Sequence, residues 1–132
     1  KLLEAIAAGQ CDVGITNTYY LAQLVAKDGK FPVAVFWPNQ GDRGVHINIS
    51  GAGVTKHAKH RDNAIKLIEF LSSTEAQNLV ADANYAYPAN PTVKASTIIV
   101  AWGDFNADTA DVAAAGELQA AAVKLMDRVG YK

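Results

Sequence analysis

Residues 11–29, CDVGITNTYYLAQLVAKDG, combine a short apolar segment with a helical repeat. The first six residues, CDVGIT, include small and β-branched side chains and predict a strand. Asn17 and Thr18 are residue types that often precede a helix, and the apolar spacing after them predicts one. Ligands of open α/β sheets bind where a strand ends and the next helix begins. We therefore expect Tyr19 and Tyr20 at a ligand-binding corner.

The rest of the chain predicts the same mixture of helices and strands. The prolines of residues 84–93, NYAYPANPTV, predict an irregular connection. Ser72 and Glu75 fit a capping box, which predicts that a helix begins near Thr74. Hydrophobic periodicity predicts a helix over 1–9, strands over 31–37 and 45–50, helices over 62–71 and 74–83, and a long helix over 110–130. The predicted fold class is α/β.

The chain has 132 residues and a formal net charge of −1, from twelve basic and thirteen acidic side chains. This length suits one domain, or one lobe of a two-lobed protein with some connecting structure. The charge balance argues against nucleic acid as a partner, because phosphate binding needs a basic patch. No apolar run approaches the roughly 18 residues of a membrane span, so we expect membrane contact to be peripheral only. The single cysteine, Cys11, excludes an internal disulfide framework.

The neighbouring phenols of Tyr19 and Tyr20 are candidate metal ligands. A phenol with a pKa of about 10 is neutral at pH 7, and its ionisation there costs about 4 kcal/mol. A bound trivalent cation can offset that cost, since hard ions such as ferric iron prefer anionic oxygen donors. Zinc or copper would more naturally use histidine or cysteine. The residues alone leave a second interpretation open, in which one ring packs against the core and the other lies in solvent.

Helix geometry places a condition on this pair. Adjacent side chains of a regular helix point about 100° apart, so the hydroxyls of successive residues are not expected to converge there. We expect Tyr19 and Tyr20 to lie in non-helical backbone at the corner before the helix. The positive end of the helix would then favour a phenolate or a bound anion.

Two other clusters could in principle bind a ligand. His57 and His60 lie three residues apart, but the cations around them favour a solvated helix entry. Tyr85 and Tyr87 resemble a second phenol cluster, but the prolines beside them favour a packed crossover segment. We predict structural roles for both clusters.

Four segments form a combined pattern: NTYYLAQL (17–24), VFWPNQGDRGVHINISGAGVTKHAKHRDNAIKLIEFLSSTEAQ (35–77), NYAYPANP (84–91) and AVKLMDRVGYK (122–132). In order and spacing they resemble the C-terminal part of the periplasmic ferric-ion-binding proteins of iron(III) ABC importers. The resemblance is closest to the cyanobacterial type. It covers nearly the whole chain.

The resemblance implies roles for residues at the predicted corner. Tyr19 and Tyr20 would be iron ligands, and Asn17 would help to bind a synergistic anion such as carbonate or phosphate. The other ligands of the family would lie before Lys1, in an N-terminal portion of the same protein. The opening residues, KLLEAIAAG, have a helical pattern and not that of a signal peptide, which agrees with this expectation.

The resemblance also implies the fold of a type II periplasmic binding protein, with two α/β lobes and a chain that crosses between them. Residues 1–44 would belong to the C-terminal lobe and carry the tandem-tyrosine corner. Residues 45–91 would belong to the N-terminal lobe, and residues 92–132 would return to the C-terminal lobe and end in the long helix. Hinge closure over the ligand is the expected conformational change.

The implied function is capture of ferric iron in the periplasm and its delivery to an ABC transporter permease, without chemical turnover. An alternative on the same fold is a binding protein for another solute or oxyanion. A third interpretation is an enzyme with tyrosine as general acid or base. No nucleophile, base and orienting group fall together in the sequence, which argues against the enzyme.

Overall fold

A computed structural model describes residues 1–131 of the chain. Its helices are α1 (Leu2–Ala7), α2 (Thr18–Lys27), α3 (Arg61–Leu71), α4 (Thr74–Asn84), α5 (Thr97–Val100) and α6 (Val112–Arg128). Every helix that hydrophobic periodicity predicted is present, with ends that differ by a few residues. The short α5 was not predicted, because four residues are too few to show a period. Its one local signal is Ser96, whose Oγ accepts a hydrogen bond from the Ile98 amide at 3.3 Å.

Two of the three predicted strands have strand-like side-chain alternation, and none of the three forms a ladder within residues 1–131. Residues 31–37 and 45–48 alternate between partly buried and exposed positions. Within residues 1–131, however, the one strand-like pairing is an isolated parallel bridge between Val45 and Ala107. A ladder needs a neighbouring strand to pair the N–H and C=O groups, and these segments have none beside them in the described chain. Apolar side chains of the predicted strands are correspondingly exposed: Val13 (83%) and Ile15 (101%) in residues 11–16, and Phe36 (81%) in residues 31–37.

The contacts of the chain divide it into two units, and the larger contains Lys1–Trp37 and Asn48–Asp104. In this unit α2 packs against α5, and α3 packs against α4. Ile99 of α5 has no exposed surface and is the largest fully buried side chain. The other buried apolar residues of the unit are Leu3, Leu21, Ala22, Ala76, Ala81 and Val93.

The junction of α3 and α4 corrects the predicted capping box. Ser73, not Ser72, is the N-cap of α4, and its Oγ accepts a hydrogen bond from the Ala76 amide at 3.2 Å. Ser72 is still in helical backbone at the end of α3, and its hydroxyl donates to the carbonyl of Ile68 at 3.2 Å. The prediction was one residue early because two adjacent serines offer the same cap chemistry.

The second unit contains Pro38–Ile47 and residues 105–131. Gln40 and Asn106 pair side chain to backbone in both directions: Gln40 Oε1 accepts from the Asn106 amide at 2.6 Å, and Asn106 Nδ2 donates to the Gln40 carbonyl at 3.1 Å. Asp111 caps α6 by accepting from the Ala113 amide at 2.8 Å. Large apolar side chains of α6 and of Val129 directly after it are exposed to solvent in this chain: Leu118, Leu125, Met126 and Val129.

The assignment of residues 1–44, 45–91 and 92–132 to particular lobes stays a prediction. The two contact units concern this chain alone and do not identify lobes. Lys132, the last residue of the third predicted segment, lies outside the described residues. None of the helices described is both long enough and apolar enough to cross a membrane.

Candidate metal centre

The tandem tyrosines lie at the start of α2. Asn17 has extended backbone (ψ 142°) and precedes the helix, so that Tyr19 and Tyr20 are its second and third residues. The Tyr20 amide already donates to the Asn17 carbonyl at 3.2 Å. The expectation that the pair lies in non-helical backbone before the helix is therefore wrong.

The two rings nevertheless meet. Their centroids are 4.4 Å apart and their planes are tilted by 52°. Side chains of a helix lean toward its N-terminus, and residues of the first turn have no preceding turn against which to pack. The rings of Tyr19 and Tyr20 can therefore turn toward each other, which residues in the middle of a helix could not do.

A pair of asparagines holds the Tyr19 hydroxyl. Asn17 Nδ2 donates to Tyr19 Oη at 2.9 Å, and Asn48 Nδ2 donates to Asn17 Oδ1 at 2.9 Å. The Asn17 side chain makes no cap bond to α2, although asparagine is a favoured cap residue. Its amide is used instead to connect Asn48 with the phenol. The resemblance implies that Asn17 helps to bind an anion, which stays a prediction, and the structure places its amide against Tyr19.

Sequence reasoning missed Asn48. The residue lies in the segment VHINIS, at a polar position of the predicted strand, where an exposed asparagine needs no special explanation. Its partner Asn17 is 31 residues away in sequence. No local pattern could have connected the two.

The interaction between the phenols affects their protons. Hydrogen bonding with Tyr19 raises the pKa of Tyr20 above its usual value, and repulsion from the Tyr19 charge and desolvation add to this effect. Metal-free Tyr20 therefore keeps its proton at neutral pH. Tyr20 is half exposed, so a solute can reach it from solvent. Only a strongly attracting cation could convert the pair to phenolates.

The helix that carries the pair is anchored by its next two residues. Leu21 and Ala22 are buried, and α2 packs against α5, which contains the fully buried Ile99. The tyrosines thus precede the anchored part of the helix directly. This fixes the position of their backbone while it leaves Tyr20 open to solvent.

An open pocket of about 330 Å³ lies beside Tyr20. It is lined on one side by α1 and on the other by Gln23, Leu24 and Lys27 of α2, and Thr16 also contributes. Tyr19 does not line it. The pocket is therefore a space beside the phenol pair and does not itself define a metal position.

The alternative metal ligands do not assemble. In residues 1–131, no group of three or more His, Cys, Asp or Glu side chains is placed to hold a metal ion. His57 and His60 are exposed, and His60 immediately precedes α3. This agrees with the predicted solvated helix entry.

Tyr85 and Tyr87 do not form a second phenol centre. Tyr85 ends α4 in left-handed backbone (φ 55°), and Tyr87 Oη donates to the Ile99 carbonyl at 3.4 Å. Burial raises the pKa of Tyr87, and the charge of Asp104 raises it further. Tyr87 is nevertheless 39% exposed, so its phenol is only partly packed in this crossover segment.

Residues 1–122 match the family model described as bacterial extracellular solute-binding protein. Over 98% of its length, the chain is 38% identical to iron uptake protein A1 of Synechocystis sp., and it covers 38% of that protein. Over 69% of its length, it is 32% identical to the major ferric iron-binding protein of Neisseria meningitidis, and it covers 28% of that protein. The chain thus spans about two fifths or less of the length of these curated relatives.

Solved structures share the fold over nearly the whole chain. The Trichodesmium protein IdiA (FutA), in complex with iron and citrate ligands, is 43% identical and superposes with a TM-score of 0.88, over 98% of this chain and 43% of that one. The ferric binding protein from Campylobacter jejuni is 35% identical and superposes with a TM-score of 0.91, over the same two fractions. These superpositions confirm the predicted α/β fold as part of a two-lobed binding protein.

Proposed function

The chain belongs to the bacterial extracellular solute-binding protein family, and we propose that it contributes two tyrosinate ligands, from Tyr19 and Tyr20, to a site that captures ferric iron. Captured iron is then delivered to the permease of an ABC transporter. The protein acts in the periplasm and carries out no chemical turnover. These proposals concern the complete protein, because this chain spans only 38% of the length of iron uptake protein A1.

The contact between the phenols carries the proposal. Their ring centroids lie 4.4 Å apart at the exposed start of a helix that is anchored directly behind them. Two hard oxygen donors on neighbouring rings suit ferric iron better than zinc or copper. The relatives named for iron uptake and for ferric iron binding support the same cargo.

Local charge also favours phenolates once the cation has arrived. The N-terminus of α2 contributes a partial positive charge close to both residues. The Asn17 amide donates to the Tyr19 oxygen, and a donor stabilises a phenolate more than a neutral phenol. Both effects oppose the cost of ionising two neighbouring tyrosines.

Two oxygens cannot complete the coordination of ferric iron. We propose that the remaining ligands come from another part of the protein across an interlobe cleft, and that a carbonate, phosphate or similar anion occupies a position near Asn17. The Trichodesmium relative was solved in complex with iron and citrate ligands, which supports an anion as a companion of the metal in this family.

Ferric citrate titration of the complete protein tests the proposal. The iron-loaded protein should be coloured by a phenolate-to-iron charge-transfer band. The double variant Tyr19→Phe/Tyr20→Phe should lose that band and most of its iron affinity, because phenylalanine keeps the ring but offers no oxygen. Tyr131→Phe is the matched control, since Tyr131 is an exposed phenol that takes part in no bond of the site.

An unchanged band in the double variant would show that other residues bind the iron. If instead neither the parent nor the double variant binds iron, and calorimetry detects binding of an organic solute or oxyanion, the cargo has been assigned wrongly.

A further inference from the structure

Two hydrogen bonds connect Asn48 to the phenol of Tyr19 through the Asn17 amide. The Asn48 amide group donates to Asn17 Oδ1 at 2.9 Å, and the Asn17 amide group donates to Tyr19 Oη at 2.9 Å. The two bonds run in one direction, from Asn48 through Asn17 to the phenol oxygen. Asn48 forms no hydrogen bond with Tyr19 itself.

The direction matters because an asparagine amide has two unlike ends. One end is a carbonyl that only accepts hydrogen bonds, and the other is an NH₂ group that only donates. The terminal torsion of asparagine has two broad states that exchange these ends, so the side chain of Asn17 does not select its own orientation. In the structure the Asn48 NH₂ group meets the Asn17 carbonyl oxygen, and this bond favours the orientation that turns the Asn17 NH₂ group toward Tyr19.

An iron-bound Tyr19 oxygen has lost its proton and can only accept a hydrogen bond. The orientation present in the structure offers it the Asn17 NH₂ group. The reversed orientation would place the Asn17 carbonyl against the phenolate oxygen, where two acceptors repel. The hydrogen bond from Asn48, which lies 31 residues from Asn17 in sequence, therefore favours the attractive contact between the Asn17 NH₂ group and Tyr19 over the repulsive contact of its carbonyl.

We propose that Asn48 is a positioning residue for ferric iron binding, which acts by holding the Asn17 amide with its donor toward Tyr19. This inference rests on the proposed function, since it requires Tyr19 to be an iron ligand. It adds a residue that neither touches the metal nor lies near the tandem tyrosines in sequence. The chemistry concerned is hydrogen-bond direction alone.

Asn48→Asp provides the sharpest variant, because it keeps the shape of the side chain but removes its donor. An aspartate at this position can only accept, so the Asn17 NH₂ group should turn toward it and the Asn17 carbonyl toward Tyr19. Asn48→Ala removes the hydrogen bond that favours one orientation of the Asn17 amide, but it does not favour the opposite orientation. We expect Asn48→Ala to weaken ferric iron binding about tenfold and Asn48→Asp to weaken it more, toward about 100-fold.

The added negative charge of Asn48→Asp needs its own control. In an Asn17→Ala background the amide that transmits the effect is gone, so Asn48→Asp should then change iron binding by less than about twofold. A direct effect of the charge on the metal would instead persist in that background. The double-mutant cycle therefore separates positioning from simple charge repulsion.

The experiment measures competition between the complete protein and free citrate for ferric iron, together with the position of the charge-transfer band and the thermal unfolding of the metal-free variants. The proposal predicts that the band shifts in Asn48→Asp while the unfolding temperature stays near that of the parent, since Asn48 is exposed. Equal iron binding by Asn48→Asp and the parent, or an effect of Asn48→Asp that persists without Asn17, overturns the proposal. Absence of the charge-transfer band from the iron-loaded parent protein would instead overturn the proposed tyrosinate site.

Discussion

Gly44 lies directly against the backbone of Asn106. A β-carbon on Gly44 would lie 2.6 Å from the Asn106 carbonyl oxygen, and the residue has a φ of +95°. The close approach allows the neighbouring Val45 amide to donate to the same Asn106 carbonyl at 2.8 Å. Asp108 in turn donates its amide to the Val45 carbonyl at 2.8 Å, which completes the isolated parallel bridge. The bridge between Val45 and Ala107 therefore requires a glycine at position 44.

Replacement of Gly44 by alanine should destabilise the protein. The positive φ alone costs an ordinary residue about 1–2 kcal/mol, and the contact with a backbone carbonyl adds to that cost. We expect Gly44→Ala to lower the free energy of unfolding by about 2 kcal/mol or more, measured by urea denaturation of the complete protein. Gly41→Ala is the control, because a β-carbon there would meet nothing within 4 Å. Equal losses in the two variants would contradict this explanation.

Gln77 connects the irregular crossover segment to the junction of α3 and α4. Its Nε2 donates to the Leu71 carbonyl at 2.8 Å, and its Oε1 accepts from the Ala89 amide at 2.7 Å. Gln77→Ala should therefore lower the free energy of unfolding by about 1–2 kcal/mol, since it leaves two backbone groups without their partner. The matched control is Asn78→Ala, an exposed change one residue further along α4. A loss in Asn78→Ala as large as that in Gln77→Ala would contradict the assigned role.

Local patterns predicted the longer helices of this chain, though not the four-residue α5, because each longer helix carries its own signals. The apolar spacing of α2 and α6 is visible without any knowledge of their partners. Strands differ, since the ladder bonds that define them come from elsewhere in a protein. Residues 31–37 show the correct alternation and still have no strand beside them within the described chain.

The candidate site divides in the same way. Tyr19 and Tyr20 were predicted as candidate ligands because two phenols are adjacent in the sequence, and phenol oxygens are donors that ferric iron prefers. Their position inside the first turn of α2 was not predicted. Regular helix geometry does not include the extra freedom that side chains have at the N-terminal end of a helix. Asn48 was missed because its importance lies in the direction of a hydrogen bond from a residue distant in sequence.

The stability of the metal-free protein should fall at alkaline pH in a way that depends on Tyr87. Burial, and then the charge of Asp104, raise the pKa of this phenol above its unfolded value of about 10. A raised folded pKa gives a stability contribution that is fully present below about pH 10 and is lost as the pH rises through the folded pKa. Tyr87→Phe should flatten this part of the decline in the free energy of unfolding, whereas Tyr131→Phe should not. Identical alkaline profiles for Tyr87→Phe and the parent would contradict the assigned burial effect.

Iron affinity should fall as the pH drops, and Tyr20 should account for part of the slope. The pKa of Tyr20 is raised by its hydrogen bonding with Tyr19, so at neutral pH the metal-free residue holds a proton that iron must displace. Each phenol that ionises on binding adds about one unit to the slope of log K against pH. Tyr20→Phe should therefore reduce the slope by about one unit relative to the parent, measured by competition with citrate between neutral and mildly acidic pH. Protonation of citrate affects both proteins equally and cancels in the comparison. Tyr131→Phe should keep the parent slope, and a Tyr20→Phe variant with an unchanged slope would show that Tyr20 gives up no proton to the metal.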